Sequence, residues 1–61
     1  MGNDRTARYP MGYYTFERAP GSYFVDIWYI IGKKRRLVAA DVSESEFLDI
    51  TMDDAKQRGL L

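Results

Sequence analysis

The chain has 61 residues, with neither cysteine nor histidine, and its nine basic residues are balanced by nine acidic ones. A chain of this length forms one domain and buries only about 60% of the surface that its unfolded form exposes. The missing cysteines exclude disulfides and thiolate metal sites, the missing histidines remove the most common general base, and the zero net charge argues against non-specific coating of nucleic acid.

The amino-terminal third predicts an arm followed by a first strand and a turn. Residues 1–12 mix charges, glycine and proline without periodicity, so we expect a flexible N-terminal arm. The segment 13–18 is rich in aromatic residues and predicts the first strand. Pro20 and Gly21 follow at the two central positions of a type II turn, because proline presets φ at the first and glycine accepts positive φ at the second.

The middle of the chain predicts a second hairpin. Residues 23–31 are almost all aromatic or β-branched and form the second predicted strand. Gly32 and Lys33 can close a two-residue hairpin, with glycine at the first central position of a type II′ turn. The third predicted strand covers residues 37–42, and we expect Arg35 and Arg36 to precede them in it. The sequence therefore predicts a three-stranded antiparallel meander.

Helix signals begin after the third strand. Ser43 and Glu46 have the spacing of a capping box, which predicts a short helical turn. Thr51 is placed to cap a second helix over residues 52–58, and Gly59 is placed to end it in the left-handed conformation. One bent helix and two short helices both satisfy these signals. The predicted fold is α+β, with the helix or helices packed on one face of the sheet.

The turns set a register that divides the strands into two faces. With the predicted register, Phe16 lies opposite Val25, and Ile27 lies opposite Val38. The face predicted to be covered by helix collects Tyr14, Phe16, Tyr23, Val25, Ile27, Tyr29, Val38, Ala40 and Val42. The residues predicted to cover it are Phe47, Leu48, Ile50, Met52, Ala55, Leu60 and Leu61.

The second face is also apolar, which is unusual for a sheet face exposed to water. It carries Tyr13, Phe24, Trp28, Ile30 and Leu37. A chain of 61 residues has little material to cover both faces, so we predict that these five residues bind a partner, either another protein or a second copy of the chain. The alternative is that the arm folds over this face through Tyr9 and Met11.

Four consecutive basic residues at the predicted hairpin tip suggest an alternative function. Lys33, Lys34, Arg35 and Arg36 could track nucleic-acid phosphates, with nearby aromatic rings for stacking. They are opposed by the acidic residues that follow, since residues 1–36 carry seven basic and three acidic groups while residues 37–61 carry two basic and six acidic groups. The competing interpretation is a solubilising turn whose charges discourage pairing between sheet edges.

The sequence offers little for catalysis or metal binding. The acidic residues of the carboxyl-terminal part do not follow the pattern of a calcium loop, and helix starts explain most of them. They are Asp41, Glu44, Glu46, Asp49, Asp53 and Asp54. The serines have no histidine to activate them, and we expect no closed substrate pocket in a chain of this size. We therefore expect a non-enzyme with no cofactor and no metal site.

The longest strongly apolar run, Ile27 to Ile31, is far shorter than the roughly 20 residues that span a bilayer. The amino terminus has no apolar stretch of the kind found in secretory signals, so we expect a cytoplasmic protein without a membrane partner. The leading functional prediction is a small protein-binding module of the inhibitor or adaptor type. Short chains with this profile are often encoded by phages or other mobile elements.

Overall fold

The structure is a computed structural model that describes the backbone of residues 7–9 and the whole of residues 12–60. Four antiparallel strands form one sheet in chain order: β1 (Ala7–Tyr9), β2 (Gly12–Arg18), β3 (Phe24–Ile31) and β4 (Lys34–Ser43). The predicted three-stranded meander corresponds to β2, β3 and β4. Together with the C-terminal helix, it confirms the predicted α+β fold.

The strand β1 lies within the segment for which we expected an arm. It pairs with β2 so that Tyr9 lies opposite Gly12. Gly12 also lies close to β3. A Cβ atom on Gly12 would lie 2.4 Å from the backbone oxygen of Ile30, so only glycine allows β2 and β3 to approach this closely. Residues 1–6 and 10–11 of the expected arm lie outside the described residues.

Both predicted turns are confirmed. In the first, the amide of Ser22 donates to the carbonyl oxygen of Ala19 at 3.0 Å, and Gly21 has a φ of 77°. In the second, Gly32 has a φ of 59°, and the positive φ falls on Gly32 and not on Lys33. This is the pattern of a type II′ hairpin.

The register between β2 and β3 differs from the prediction by two residues. Phe16 lies opposite Ile27, and Tyr14 lies opposite Tyr29. The reason is a second small turn, in which the amide of Phe24 donates to Oγ of Ser22 at 3.0 Å and delays the start of β3. Because the shift is an even number, every side chain stays on its predicted face.

The register between β3 and β4 follows the prediction only next to the hairpin. Trp28 lies opposite Leu37 as predicted, but two irregularities then move Val25 opposite Val42. Asp41 has a φ of 56°, and its amide donates to Oδ1 of Asp26 at 3.1 Å, so one extra residue of β4 is absorbed in a bulge beside Asp26. The other extra residue is Val38, which lies between the pairs Trp28–Leu37 and Ile27–Ala39. The predicted pairing of Ile27 with Val38 is therefore wrong, because Ile27 lies opposite Ala39.

After β4, a 3₁₀-helix (Glu44–Glu46) leads directly into one α-helix, α1 (Phe47–Gln57). Ser43 caps the 3₁₀-helix as predicted, accepting a hydrogen bond from the amide of Ser45 at 3.3 Å. Thr51 is not a cap. It is fully buried inside α1, and its hydroxyl donates to the carbonyl oxygen of Leu48 at 3.2 Å.

The C-terminal end of α1 has the conformation that the sequence predicted. Gly59 has a φ of 77°, and its amide donates to the oxygen of Lys56 at 3.1 Å. The amide of Leu60 donates to the oxygen of Ala55 at 2.8 Å. These two bonds form a Schellman motif, which turns Leu60 back against the core.

The core lies between α1 and one face of the sheet. Its buried apolar residues are Tyr14, Val25, Ile27, Tyr29, Phe47 and Ala55. Partly buried residues that pack against them are Phe16, Ile31, Val38, Val42, Ile50 and Leu60. The rings of Tyr14 and Tyr29 have centroids 4.8 Å apart, and those of Phe16 and Phe47 meet edge to face at 5.6 Å. The predicted covered face is thus largely confirmed.

Four residues assigned to this core are exposed instead. Tyr23 is 87% exposed because β3 begins one residue later, and Ala40 is exposed because it lies in the bulged part of β4. Leu48 and Met52 are 65% and 47% exposed because one continuous α1 directs them away from the sheet. Leu61 lies outside the described residues.

Within the part of the chain that the structure describes, no helix has the length and apolarity needed to cross a membrane.

Candidate protein interface

The sheet face opposite α1 is here called the open face. Its side chains alternate along each strand with those of the buried residues Tyr14, Val25, Ile27 and Tyr29, so they lie on the other side of the sheet. The open face consists of Tyr13, Thr15, Glu17, Phe24, Asp26, Trp28, Ile30, Arg35 and Leu37.

All five residues predicted to bind a partner lie on the open face. Phe24 is 53% exposed, Leu37 is 49% exposed and Tyr13 is 36% exposed. Trp28 and Ile30 are half-buried and lie between them on the central strand β3. No described helix covers these side chains, so the open face exposes apolar surface at Tyr13, Phe24 and Leu37.

The centre of the open face is spanned by one arginine. Arg35 starts beside Ile30, and its guanidinium carbon lies over the Trp28 ring, 4.1 Å from the centroid. Its terminal nitrogen then reaches Oε1 of Glu17 on β2 at 3.2 Å. The side chain of Arg35 therefore runs diagonally across three strands, with the indole beneath it and a carboxylate at its far end.

This ion pair is held loosely, because the side chains of Arg35 and Glu17 are 51% and 61% exposed. Exposed ion pairs of this kind contribute about 0–1 kcal/mol. The stack of a guanidinium on an indole contributes about 0.5–1 kcal/mol at an exposed site. Arg35 can therefore exchange its carboxylate contact at small cost.

Two further polar features belong to the residues of the open face. The Nε1 atom of Trp28 is buried and has no hydrogen-bond acceptor among the described residues. A buried donor left unsatisfied costs about 1–3 kcal/mol. In addition, Glu17 lies directly opposite Asp26, and like charges in that position repel each other. Within the described part of the chain, Arg35 is the cation that contacts this acidic pair, through Glu17.

The basic run at the hairpin does not form one continuous surface. Lys33, Lys34, Arg35 and Arg36 are all exposed, but alternation along β4 puts Arg35 on the open face and its two neighbours on the other side. Arg36 lies opposite Tyr29 and is close enough to Asp54 to lower the pKa of that carboxyl. The four cations are thus divided between the two sides of the sheet.

On the covered side, a polar cluster joins α1 to the sheet. The Tyr14 hydroxyl donates to Oδ2 of Asp54 at 2.5 Å, and Nε of Arg58 donates to the same oxygen at 2.5 Å. The Arg58 guanidinium also lies 5.0 Å from the centroid of the Tyr29 ring. A second ion pair, between Arg18 and Glu44, holds the 3₁₀-helix against β2.

The cluster fixes the charge states of its members. Burial raises the pKa of the Tyr14 hydroxyl, and the neighbouring Asp54 carboxylate raises it further. Burial alone would raise the pKa of Asp54, but hydrogen bonds from Arg58 and Tyr14 outweigh it and hold the pKa below its ordinary value of 3.8. The hydrogen bond to Asp54 raises the pKa of Arg58. The cluster is therefore a neutral phenol and an ion pair, an arrangement that stabilises structure.

A cleft of about 360 Å³, open to solvent, lies between β4 and α1. It is lined by Val38, Asp49, Ile50, Asp53, Asp54 and Gln57. In the described part of the chain, no group of three or more acidic residues is arranged to hold a metal ion. The residues that line this cleft include three carboxylates and no hydroxyl, thiol or amine nucleophile.

Sequence reasoning missed two contacts that define these surfaces. The spacing of four residues between Asp54 and Arg58 indicates a helical ion pair, but it does not show that Tyr14 completes it from the sheet. The stack of Arg35 on Trp28 follows from the predicted register, because Trp28 lies opposite Leu37, two residues after Arg35.

Comparison with known proteins gives no match among family models, curated proteins or solved structures.

Proposed function

We propose that the chain is a small, non-enzymatic protein-binding module of the inhibitor or adaptor type, and that it acts through the open face. The observation that carries this proposal is the exposure of Tyr13, Phe24 and Leu37 around Trp28 on the side of the sheet opposite α1. A sheet face in contact with water carries mainly polar side chains, whereas this one exposes apolar side chains around the stack of Arg35 on Trp28.

The chemistry of the open face is that of an interface. Aromatic residues and arginine dominate the energy of protein contacts when a partner excludes water from them. Tyr13, Phe24, Trp28 and Arg35 bring both kinds together on one surface.

The nucleic-acid alternative through Lys33, Lys34, Arg35 and Arg36 is less well supported. Nucleic-acid affinity depends on several cations that contact phosphates together. Here Arg35 already contacts Glu17 and lies on a different side of the sheet from its neighbours. Filter binding at two salt concentrations tests this alternative, and we expect no salt-dependent affinity for DNA or RNA.

Photo-crosslinking tests the proposed function directly. Leu37, on the open face, is replaced with p-benzoylphenylalanine, and Leu48, an exposed leucine on the outer side of α1, is replaced in the same way as a matched control. We expect a covalent adduct with a protein from position 37 and not from position 48, and we expect Trp28→Ala to remove the adduct. Equal adducts from both positions, or an adduct that survives Trp28→Ala, would contradict the proposed function.

A further inference from the structure

We propose that the partner of the open face is a short basic segment of another protein, with a lysine or arginine that contacts Glu17 and Asp26. The same segment places apolar side chains on Phe24 and Leu37. The inference rests on the proposed function and names the chemistry of the partner that this face binds. It follows from the charges of the open face, which do not balance.

The open face carries more anions than cations. Glu17 on β2 and Asp26 on β3 lie directly opposite each other, and among the residues whose side chains the structure describes, Arg35 is the cation that contacts this pair. Its contact is to Oε1 of Glu17, whose side chain is 61% exposed. Two carboxylates thus share one cation. Like charges opposite each other on a sheet repel, so a second cation at this position is favourable.

Asp26 is held in position for such a contact. Its Oδ1 atom accepts a hydrogen bond from the amide of Asp41 at 3.1 Å, in the bulge of β4. Asp26 is half-buried, and a carboxylate that is partly shielded from water attracts a cation more strongly than a fully exposed one. Asp41 is itself acidic and exposed, so it adds to the negative charge near Asp26.

Exposed apolar side chains lie on the same face as the acidic pair. Phe24 precedes Asp26 by two residues on β3 and is 53% exposed. The stem of a lysine or arginine can pack on such a ring while its charged end reaches a carboxylate. Leu37 is 49% exposed and lies opposite Trp28 on β4, where it offers a second apolar contact. The open face therefore fits a segment that combines basic and apolar residues.

The same features disfavour other occupants. A nucleic acid or an anionic membrane surface meets two carboxylates here and one cation, and a second copy of the chain brings an equal excess of negative charge to the contact. The three strands that carry these residues span roughly 15 Å, whereas a standard interface buries about 800 Å² on each partner. A short segment matches this width better than a folded domain does.

Selection from a displayed library of random short peptides tests the inference, with the purified chain as bait. We expect the selected peptides to be enriched in lysine and arginine by roughly twofold or more over the unselected library. The selected peptides are then synthesised with a fluorescent label, and anisotropy gives their dissociation constants. Replacing their basic residues with glutamine should weaken binding by roughly fivefold or more.

Two variants of the chain separate a contact with the acidic pair from a general attraction of charge. Glu17→Gln combined with Asp26→Asn removes both charges and keeps an oxygen that can accept the amide of Asp41. Asp49→Asn combined with Asp53→Asn removes the same number of charges from α1, on the other side of the sheet. The first variant should bind the selected peptides roughly fivefold more weakly or worse, and the second should bind them as the wild type does. Far-UV circular dichroism shows whether both variants are folded.

The results separate this inference from the proposed function. Peptides whose binding is weakened by Leu37→Ala, but which have no excess of basic residues, overturn the basic segment and leave the proposed function standing. A library without enriched peptides, or peptides that bind both charge variants equally well, also overturns the basic segment, and crosslinking from position 37 then decides the proposed function by itself. Sedimentation equilibrium of the chain alone should show a monomer. A dimer that Leu37→Ala disrupts would identify a second copy as the occupant and would overturn the inference.

Discussion

The hydroxyl of Tyr14 on β2 and the carboxylate of Asp54 on α1 are 40 residues apart in the chain and are joined by a hydrogen bond of 2.5 Å. Both side chains lie on the covered side of the sheet, and Arg58 holds the carboxylate from the opposite direction. This contact links the meander to the helix through one charged acceptor, so its removal should loosen the packing of the whole domain.

Tyr14→Phe should lower the free energy of unfolding by about 1.5–3 kcal/mol, because a hydrogen bond to a charged acceptor is lost while the ring stays in place. Urea denaturation followed by Trp28 fluorescence measures the change. Tyr23→Phe, which removes the same hydroxyl from an 87% exposed ring, is the matched control and should change the free energy by less than about 0.5 kcal/mol. Equal effects of the two substitutions would show that the Tyr14–Asp54 bond does not stabilise the fold.

The stability of the domain should fall in acid because of Asp54. Its pKa is lower in the folded chain than the ordinary value of 3.8, so its contribution is complete above pH 3.8 and is lost as the pH falls through the folded pKa. Asp54→Asn should destabilise the domain at neutral pH and should reduce the pH dependence of unfolding below pH 3.8. Asp49→Asn, the same change at an exposed helical position, should leave the free energy of unfolding at neutral pH nearly unchanged. Urea midpoints measured across this pH range decide between these outcomes.

Gly12→Ala should lower the free energy of unfolding by about 1–3 kcal/mol, because the new methyl group would lie 2.4 Å from the backbone oxygen of Ile30. It would also lie 3.0 Å from the Tyr29 hydroxyl. Combining Gly12→Ala with Tyr29→Phe separates the two clashes. If the backbone contact dominates, the double variant shows no recovery. Thermal unfolding measures the change. A Gly12→Ala chain that is as stable as the wild type would contradict the close approach of β2 and β3.

Substitution of Asp41 should show the strain in the bulge of β4. Asp41→Ala should cost about 1 kcal/mol, because aspartate tolerates the φ of 56° better than alanine, whose side chain cannot form a local hydrogen bond. Asp41→Gly should leave the free energy of unfolding unchanged or raise it, since the amide that donates to Asp26 is still present. The measurement compares the free energies of unfolding of the two variants. Equal values would mean that the backbone of the bulge adjusts and removes the strain.

The sequence predicted the features that depend on neighbours in the chain. Gly32 and Lys33 fixed the second hairpin, and Gly59 fixed the end of α1, because each conformation depends on a local preference for glycine. Strand periodicity assigned Trp28 and Leu37 to the face opposite the helix, and the even register shift at β2 did not alter this.

The features that depend on distant contacts were not predictable in the same way. Thr51 has the composition of a helix cap, but burial against the sheet favours one continuous helix in which its hydroxyl bonds to Leu48. The bulge in β4 depends on an amide of Asp41 that finds the carboxylate of Asp26, 15 residues earlier. Local propensity contains no information about either pairing.

The outer side of β4 is an edge of the described sheet, and it begins with three cations and ends in the bulge at Asp41. A flat and uncharged edge invites the stacking of one chain on the next into ribbons, whereas repulsion and a bent backbone prevent it. Polymer growth at this end is therefore blocked, and a concentrated solution of the protein should contain finite assemblies and no fibrils.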